Sequence, residues 1–297
     1  MKKLITLLLM LPIMANASFA PPNDEKVPEH GPIGKLMAKF NVSAYGIAES
    51  EFNLVLDKVL GVYGPRLQAK GYHLIFNRKW SDPTVNADTV TSGNQFIINS
   101  YGGLARASGM TPLGYATVTC HELGHHLGGA PLYPGEIWNG GGPTNEGGSD
   151  YWATKECMRE IGYSDFEIQS GGLSCATVLA WLGGGATPQP NTPDRTVVSK
   201  TNDTHPRAQC RLDTYLAGLN CTVRGEQSNT NPKTNSCYYY PNNTAATGSR
   251  PRCWFKNADQ GSPSPTPTPT PEPIPVPSPG GCELVIKPAP TPNTKAQ

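Results

Sequence analysis

The 297-residue chain has little charge, no collagen-like period and no long apolar run beyond its first residues. Charged residues make up 16% and the formal net charge is +1, which argues against a basic surface for nucleic acid. The 32 glycines and 30 prolines follow no Gly-X-Y period, so collagen is excluded. The 37% of hydrophobic residues is enough for one substantial core. We therefore expect a globular protein with no nucleic-acid partner.

The N-terminus has the pattern of a secretory signal peptide. Lys2 and Lys3 precede an apolar run over residues 4–14, which is too short to cross ~30 Å of hydrocarbon at ~1.5 Å per residue. Small residues then predict cleavage after Ala17 or Ala20. We assign residues 1–20 to the signal peptide and expect an exported protein, periplasmic or extracellular, without a transmembrane segment.

The eight cysteines include no C-x-x-C pair, which argues against a zinc ribbon or a thioredoxin-like site. In an oxidising compartment an even number predicts up to four disulfides. Short loops favour Cys210–Cys221 and Cys237–Cys253. Cys120 is expected to be a disulfide partner or a core thiol.

The C-terminal part accounts for much of the proline. Every second residue from Pro263 to Pro279 is proline, which favours a stiff polyproline II spacer of roughly 50 Å. An inert spacer is the favoured interpretation, and a recognition segment, including a contact with the cell envelope, is the alternative. After the signal peptide we expect a core domain at 21–200, a Cys-rich extension packed on it at 201–260, a linker at 261–281 and a tail at 282–297.

Hydrophobic periodicity predicts an α+β fold, mainly helical with a small sheet. The strand over 95–101 is expected either to pair at an edge with an extended peptide or to lie inside the sheet. Gly64-Pro65 should break or kink the first helix. The expected helices are 49–70, 111–127, 145–161, 172–183 and 212–219, and the expected strands are 72–80, 85–90 and 95–101.

The helix over 111–127 carries an H-E-x-x-H motif at residues 121–125. His121 and His125 are four residues apart, so both imidazoles lie on one helix face and can bind one Zn²⁺ ion. Glu122 is then placed to take a proton from a water molecule activated by the zinc. The motif predicts one catalytic zinc ion.

A hydrolytic zinc site needs a third protein ligand. Position 131 is proline, which excludes the extended motif with a third histidine there. Glu146 can bind zinc from a second helix while Asp150, four residues later, accepts a hydrogen bond from a ligating histidine. Alternatively, Glu146 only complements the helix dipole. Glu136 is the rival candidate to Glu146 as the third zinc ligand.

These motifs resemble those of the gluzincin metallopeptidases of the HtpX, CAAX prenyl protease and BepA type. Asn145-Glu146-x-x-Ser149-Asp150 is similar to the family's N-E-x-x-A-D, with serine in place of alanine. Thr204-His205-Pro206 with Arg211 is similar to its T-H-P-x-x-x-x-R segment. The resemblance covers roughly 72–161 and 204–212. The membrane-embedded members have spanning helices that this chain lacks.

The resemblance implies a zincin-like, disulfide-bonded fold with zinc bound by His121, His125 and Glu146 and with Glu122 as general base. It places His205 near the oxyanion and gives Arg211 a structural or substrate-facing role. The expected function is an exported zinc endopeptidase acting on a protein or peptide. The alternatives are a zinc amidase acting on cell-wall peptides and a non-catalytic binding module with structural zinc.

Overall fold

The computed structural model describes residues 17–19, 46–133, 142–202, 204–224, 237 and 248–256. Within these ranges the chain has a mixed α+β architecture, which confirms the predicted fold class at this level. The strands are β1 (Ala17–Ser18), β2 (His73–Lys79), β3 (Ala87–Ser92) and β4 (Gln95–Tyr101). The helices are α1 (Glu49–Gln68), α2 (Gly102–Ala105), α3 (Pro112–Leu127), α4 (Glu146–Trp152), α5 (Met158–Glu160), α6 (Asp165–Leu182) and α7 (Ala208–Asn220).

The four strands form one sheet in the order β1-β3-β4-β2. Strand β4 runs parallel to β2 and antiparallel to β3, and β1 is antiparallel to β3. Because β4 has a strand on each side, its predicted role as an edge that pairs with substrate is wrong, and the interior alternative is correct. Its side chains at Phe96, Ile98 and Ser100 are buried in the direction of the helices.

Helix α1 packs an apolar face on the core through Phe52, Leu56 and Val59, all fully buried. It continues through Pro65 to Gln68, so of the predicted break or kink the break is wrong. Pro65 is exposed and lies in the last turn, so the one hydrogen bond that its missing N–H cannot make is lost near the end of the helix.

Helix α3 follows the predicted bounds. The Thr111 side chain accepts a hydrogen bond from the Gly114 N–H at 3.0 Å, and Pro112 occupies the first helical position. Every residue from Gly114 to His125 is buried. The helix packs against α1, α4 and α6, so it is the central element of the core and holds its motif away from bulk solvent.

Helix α4 begins after Asn145, whose side chain accepts from the Gly148 N–H at 2.9 Å. A π-helical segment, Ala153–Cys157, joins α4 to α5, so the predicted single helix over 145–161 contains a π insertion. Helix α6 begins seven residues earlier than predicted because a Ser164–Glu167 capping box starts it. Helix α7 packs on α4 and α6.

The described cysteines form three disulfides, Cys120–Cys157, Cys210–Cys253 and Cys221–Cys237. Both predicted pairs are therefore wrong. Helix α7 separates Cys210 from Cys221 by about 16 Å at ~1.5 Å per residue, which is far beyond disulfide reach. Cys175 is free and buried, and Cys282 lies outside the described residues.

In the described part of the chain, no helix is long and apolar enough to span a membrane. The predicted linker and tail, the first sixteen residues and the rival ligand Glu136 lie outside the described residues. Of the predicted signal peptide, residues 17–19 are described, and they form strand β1 and the residue after it.

Candidate metal centre

The two motif histidines present their imidazoles side by side, one turn apart on α3. The Nε2 atoms of His121 and His125 are 3.1 Å apart, and both side chains are fully buried. Nδ1 of His121 lies 2.7 Å from a carboxylate oxygen of Asp150, and Nδ1 of His125 lies 2.7 Å from the Thr144 carbonyl oxygen. Since each Nδ1 atom faces an acceptor, it carries the ring proton when the imidazole is neutral, and the Nε2 atom is then free to bind a metal ion.

Glu146, the first residue of α4, completes the cluster. Its Oε2 lies 3.1 Å from Nε2 of His121, and its Oε1 lies 3.7 Å from Nε2 of His125. The side chain is fully buried. One ligand atom from each of these three residues lies within 4.8 Å of the other two, so the group could hold a metal ion.

The donor set fits a cation. Two imidazole nitrogens and a carboxylate converge in a buried space, where a positive charge, either a proton or a metal ion, offsets the facing lone pairs. Both carboxylate oxygens of Glu122 are also buried and have no hydrogen-bond partner among the described residues. A buried carboxylate without partners is costly, which indicates a ligand or water at this place. Two imidazoles and one carboxylate form a donor set that binds divalent transition metals, zinc among them.

The charges around the site act on each group differently. Burial raises the pKa of Glu122 well above its usual value. Burial opposes the charged form of His121, but the Asp150 and Glu146 carboxylates outweigh it and raise the pKa of this imidazole to about 9. Burial lowers the pKa of His125 to about 4. Without a metal, His121 thus holds a proton beside Glu146, so protons and a metal ion compete for the same donors.

Asp150 lies next to the cluster and accepts hydrogen bonds that hold His121 in place. Its Oδ1 accepts from Nδ1 of His121, from Nη2 of Arg211 and from the Tyr215 hydroxyl, each at 2.7 Å. Its Oδ2 accepts from Nε of Arg211 at 2.7 Å. Burial alone would raise the pKa of Asp150, but Arg211 and His121 hold it below its usual value. The charged, fully bonded carboxylate fixes the orientation of the His121 ring.

His205 lies at the rim of the cluster. Its Nε2 is 3.3 Å from Oε2 of Glu146, and its side chain is 22% exposed while that of Glu146 is fully buried. The structure thus brings together seven of the residues that the sequence singled out, namely His121, Glu122, His125, Glu146, Asp150, His205 and Arg211.

Tyr133, Thr144 and Phe19 contact the cluster without having been predicted. The Tyr133 hydroxyl donates to Oε1 of Glu146 at 2.6 Å, and its ring stacks beside that of His125. No periodicity marks these residues, because two of them lie in loops and Phe19 lies in the predicted signal peptide. His126, the residue after the second motif histidine, is half-buried and contacts β3 through a threonine hydroxyl.

A second group with metal-ligand atoms, Asp194, Cys210 and Cys253, is not a metal site. Its two cysteines are joined in a disulfide, so neither sulfur is a thiolate. The only other described group of this kind is the His121–His125–Glu146 cluster.

Comparison with known proteins finds no matching family model, no matching curated protein and no matching solved structure.

Proposed function

We propose that this chain is an exported zinc endopeptidase with a zincin-like active site. The observation that carries the proposal is the buried convergence of His121, His125 and Glu146 beside the unpartnered carboxylate of Glu122. The three ligand residues would hold one zinc ion and leave a position open, as in zinc hydrolases. A bound zinc ion supplies a Lewis acid that polarises a carbonyl and makes water more nucleophilic near neutral pH.

Glu122 is the proposed general base. Its carboxylate interacts electrostatically with His121 and Glu146, and its oxygens have no hydrogen-bond partner among the described residues. It accepts a proton from the attacking water and delivers it to the leaving amine, which lets one carboxylate serve both steps.

His205 and Tyr133 are the proposed electrophilic groups. Both reach Glu146, His205 at 3.3 Å and Tyr133 through a 2.6 Å hydrogen bond. They can donate hydrogen bonds to negative charge that develops on the substrate oxygen at the rim of the cluster. The partial exposure of His205 allows it to meet a substrate from outside.

Export is supported by the disulfides. Three disulfides in the described residues are typical of an oxidising compartment, periplasmic or extracellular. This agrees with the signal peptide that the sequence predicts.

A proteome-derived peptide library tests the proposal. We expect cleavage within peptides by the native protein, loss of cleavage with a chelator, and recovery when zinc is added back. A Glu49→Gln variant, which changes an exposed acid of α1, should cleave as the native chain does.

Chelator-insensitive cleavage would overturn the zinc mechanism. Stoichiometric zinc without cleavage of any library peptide would overturn the endopeptidase proposal, and activity on cell-wall material alone would assign the site to an amidase.

A further inference from the structure

Residues 17–19 pack against groups that support the candidate metal ligands. The Phe19 side chain is fully buried, and its ring meets the His121 ring edge-on with centroids 5.5 Å apart. The Arg211 guanidinium lies 4.6 Å from the centre of the Phe19 ring, a cation–π contact. Nη1 of Arg211 donates to the Phe19 carbonyl at 2.7 Å. Phe19 is therefore part of the folded core, although the sequence pattern includes it in the signal peptide.

Arg211 connects Phe19 to the metal cluster. Its Nε and Nη2 atoms donate to the two carboxylate oxygens of Asp150, each at 2.7 Å. The same carboxylate accepts from Nδ1 of His121, also at 2.7 Å. Because the Arg211 side chain is buried and charged, its N–H groups need acceptors inside the protein. The Phe19 carbonyl is one of these acceptors, so loss of Phe19 would disturb the group that orients a metal ligand.

The two predicted signal-peptidase sites differ in what they do to Phe19. Cleavage after Ala20 removes it, and cleavage after Ala17 keeps it as the second residue of the mature chain. The bond after Ala20 also leads into Pro21, whose ring fixes φ and removes the N–H that an extended substrate offers to a peptidase. Both observations favour cleavage after Ala17.

The strand pairing tolerates a chain that begins at Ser18. The Phe19 N–H donates to the Ala87 carbonyl at 2.8 Å, so these two residues form a hydrogen-bonded pair. In antiparallel strands such pairs alternate with non-hydrogen-bonded pairs, and Ser18 opposite Asp88 has that second position. The Ser18 N–H therefore points away from β3, and its conversion to a free α-amino group breaks no hydrogen bond to β3. Only the pairing of Ala17 is lost.

We propose that export cleaves this chain between Ala17 and Ser18, and that the new N-terminal segment docks on β3 and supports the metal site. Water hydrolyses the bond in the signal peptidase and leaves a carboxylate on Ala17 and an ammonium group on Ser18. Phe19 is then a positioning residue, whose carbonyl and ring hold Arg211 and through it the carboxylate partner of His121. The inference rests on export, which is part of the proposed function, and not on endopeptidase activity.

The N-terminus of the exported chain tests the cleavage site. The full-length chain is expressed with its own signal in a secreting bacterial host, and the exported product is analysed by intact mass and N-terminal sequencing. We expect a chain that begins at Ser18. A chain that begins at Pro21 would overturn the proposal and leave export standing. An uncleaved chain that begins at Met1 would overturn the proposal and export together.

Zinc affinity, measured by competition with a chromophoric chelator, tests the positioning role in the chain that begins at Ser18. Phe19→Ala should lower the affinity about tenfold or more. Phe19→Leu keeps most of the apolar volume and the carbonyl contact, so it should restore most of the affinity. Phe52→Ala is the matched control, because it removes another fully buried ring, packed on Trp80 and Tyr115. It should lower the melting temperature as much as Phe19→Ala, by about 10 °C, and keep its zinc affinity.

Equal zinc affinities for Phe19→Ala and Phe52→Ala would overturn the positioning role and make Phe19 a core residue only. If Phe19→Ala does not fold, Phe19→Val and Phe52→Val, which leave smaller cavities, are compared in its place with the same two outcomes. Neither measurement needs peptide cleavage. Failure of the peptide-library test would therefore overturn the endopeptidase proposal and leave the processing site and the role of Phe19 standing.

Discussion

Asp150 and His121 are joined by a buried hydrogen bond of 2.7 Å between Oδ1 and Nδ1. The carboxylate belongs to α4 and the imidazole to α3, so the bond ties together the two helices that carry the candidate metal ligands. The same carboxylate is held by two hydrogen bonds from Arg211 of α7. The orientation of His121 therefore depends on three separate helices.

The first prediction concerns this carboxylate. Asp150→Asn removes the negative charge that fixes His121 and leaves Arg211 buried without its anion. We expect zinc affinity to fall about 10- to 100-fold, measured by competition with a chromophoric chelator. We also expect a stability loss of about 3–5 kcal/mol in urea unfolding. Asp57→Asn, at an exposed ion pair with Arg78, is the matched control and should change neither quantity by much. Unchanged zinc affinity in Asp150→Asn would show that His121 is positioned by other means.

The second prediction concerns the third ligand. Glu146→Gln keeps the size of the side chain but weakens its bond to a cation, and Glu146→Ala removes it. We expect the alanine variant to contain clearly substoichiometric zinc by elemental analysis while its circular dichroism stays native. A full equivalent of zinc in that variant would move the third ligand elsewhere, and Glu136 would then be the residue to change next.

The third prediction concerns Gly147, which follows Glu146. A Cβ atom at this position would lie 2.3 Å from Cδ2 of the buried Trp254 ring. We expect Gly147→Ala to cost about 1–3 kcal/mol and to weaken zinc binding, because α4 must shift away from Trp254. Gly61→Ala in α1 is the control, since its Cβ would meet no atom within 4 Å and the change should stabilise by about 0.5–1 kcal/mol. Equal thermal shifts in the two variants would contradict this packing argument.

The fourth prediction concerns the disulfide next to the motif. Cys120–Cys157 links α3 to the π-helical segment across a sequence separation of 37 residues. Replacing both cysteines by serine should cost about 4 kcal/mol by loop-closure entropy. Because Cys120 precedes His121, zinc affinity should fall as well. The Cys221→Ser, Cys237→Ser double variant should lose stability but keep its zinc affinity, and a loss of affinity there would show that the effect is not local.

Sequence patterns predicted the parts of the site that follow local rules. The spacing of His121 and His125, the Thr111 cap and the interval from Glu146 to Asp150 each depend on helix geometry within a few residues. Tyr133 and Phe19 reach the site through contacts between distant parts of the chain, which no periodicity records. The predicted disulfide pairs were wrong for the same reason, since Cys210 and Cys221 are close in sequence but lie at opposite ends of α7.

The most direct test of the central claim is to measure zinc content and peptide turnover on the same preparations of the native chain and of Glu122→Gln. The account predicts one equivalent of zinc in both and turnover in the native chain, with a loss of at least about 100-fold in Glu122→Gln. Native-level turnover by Glu122→Gln would contradict it.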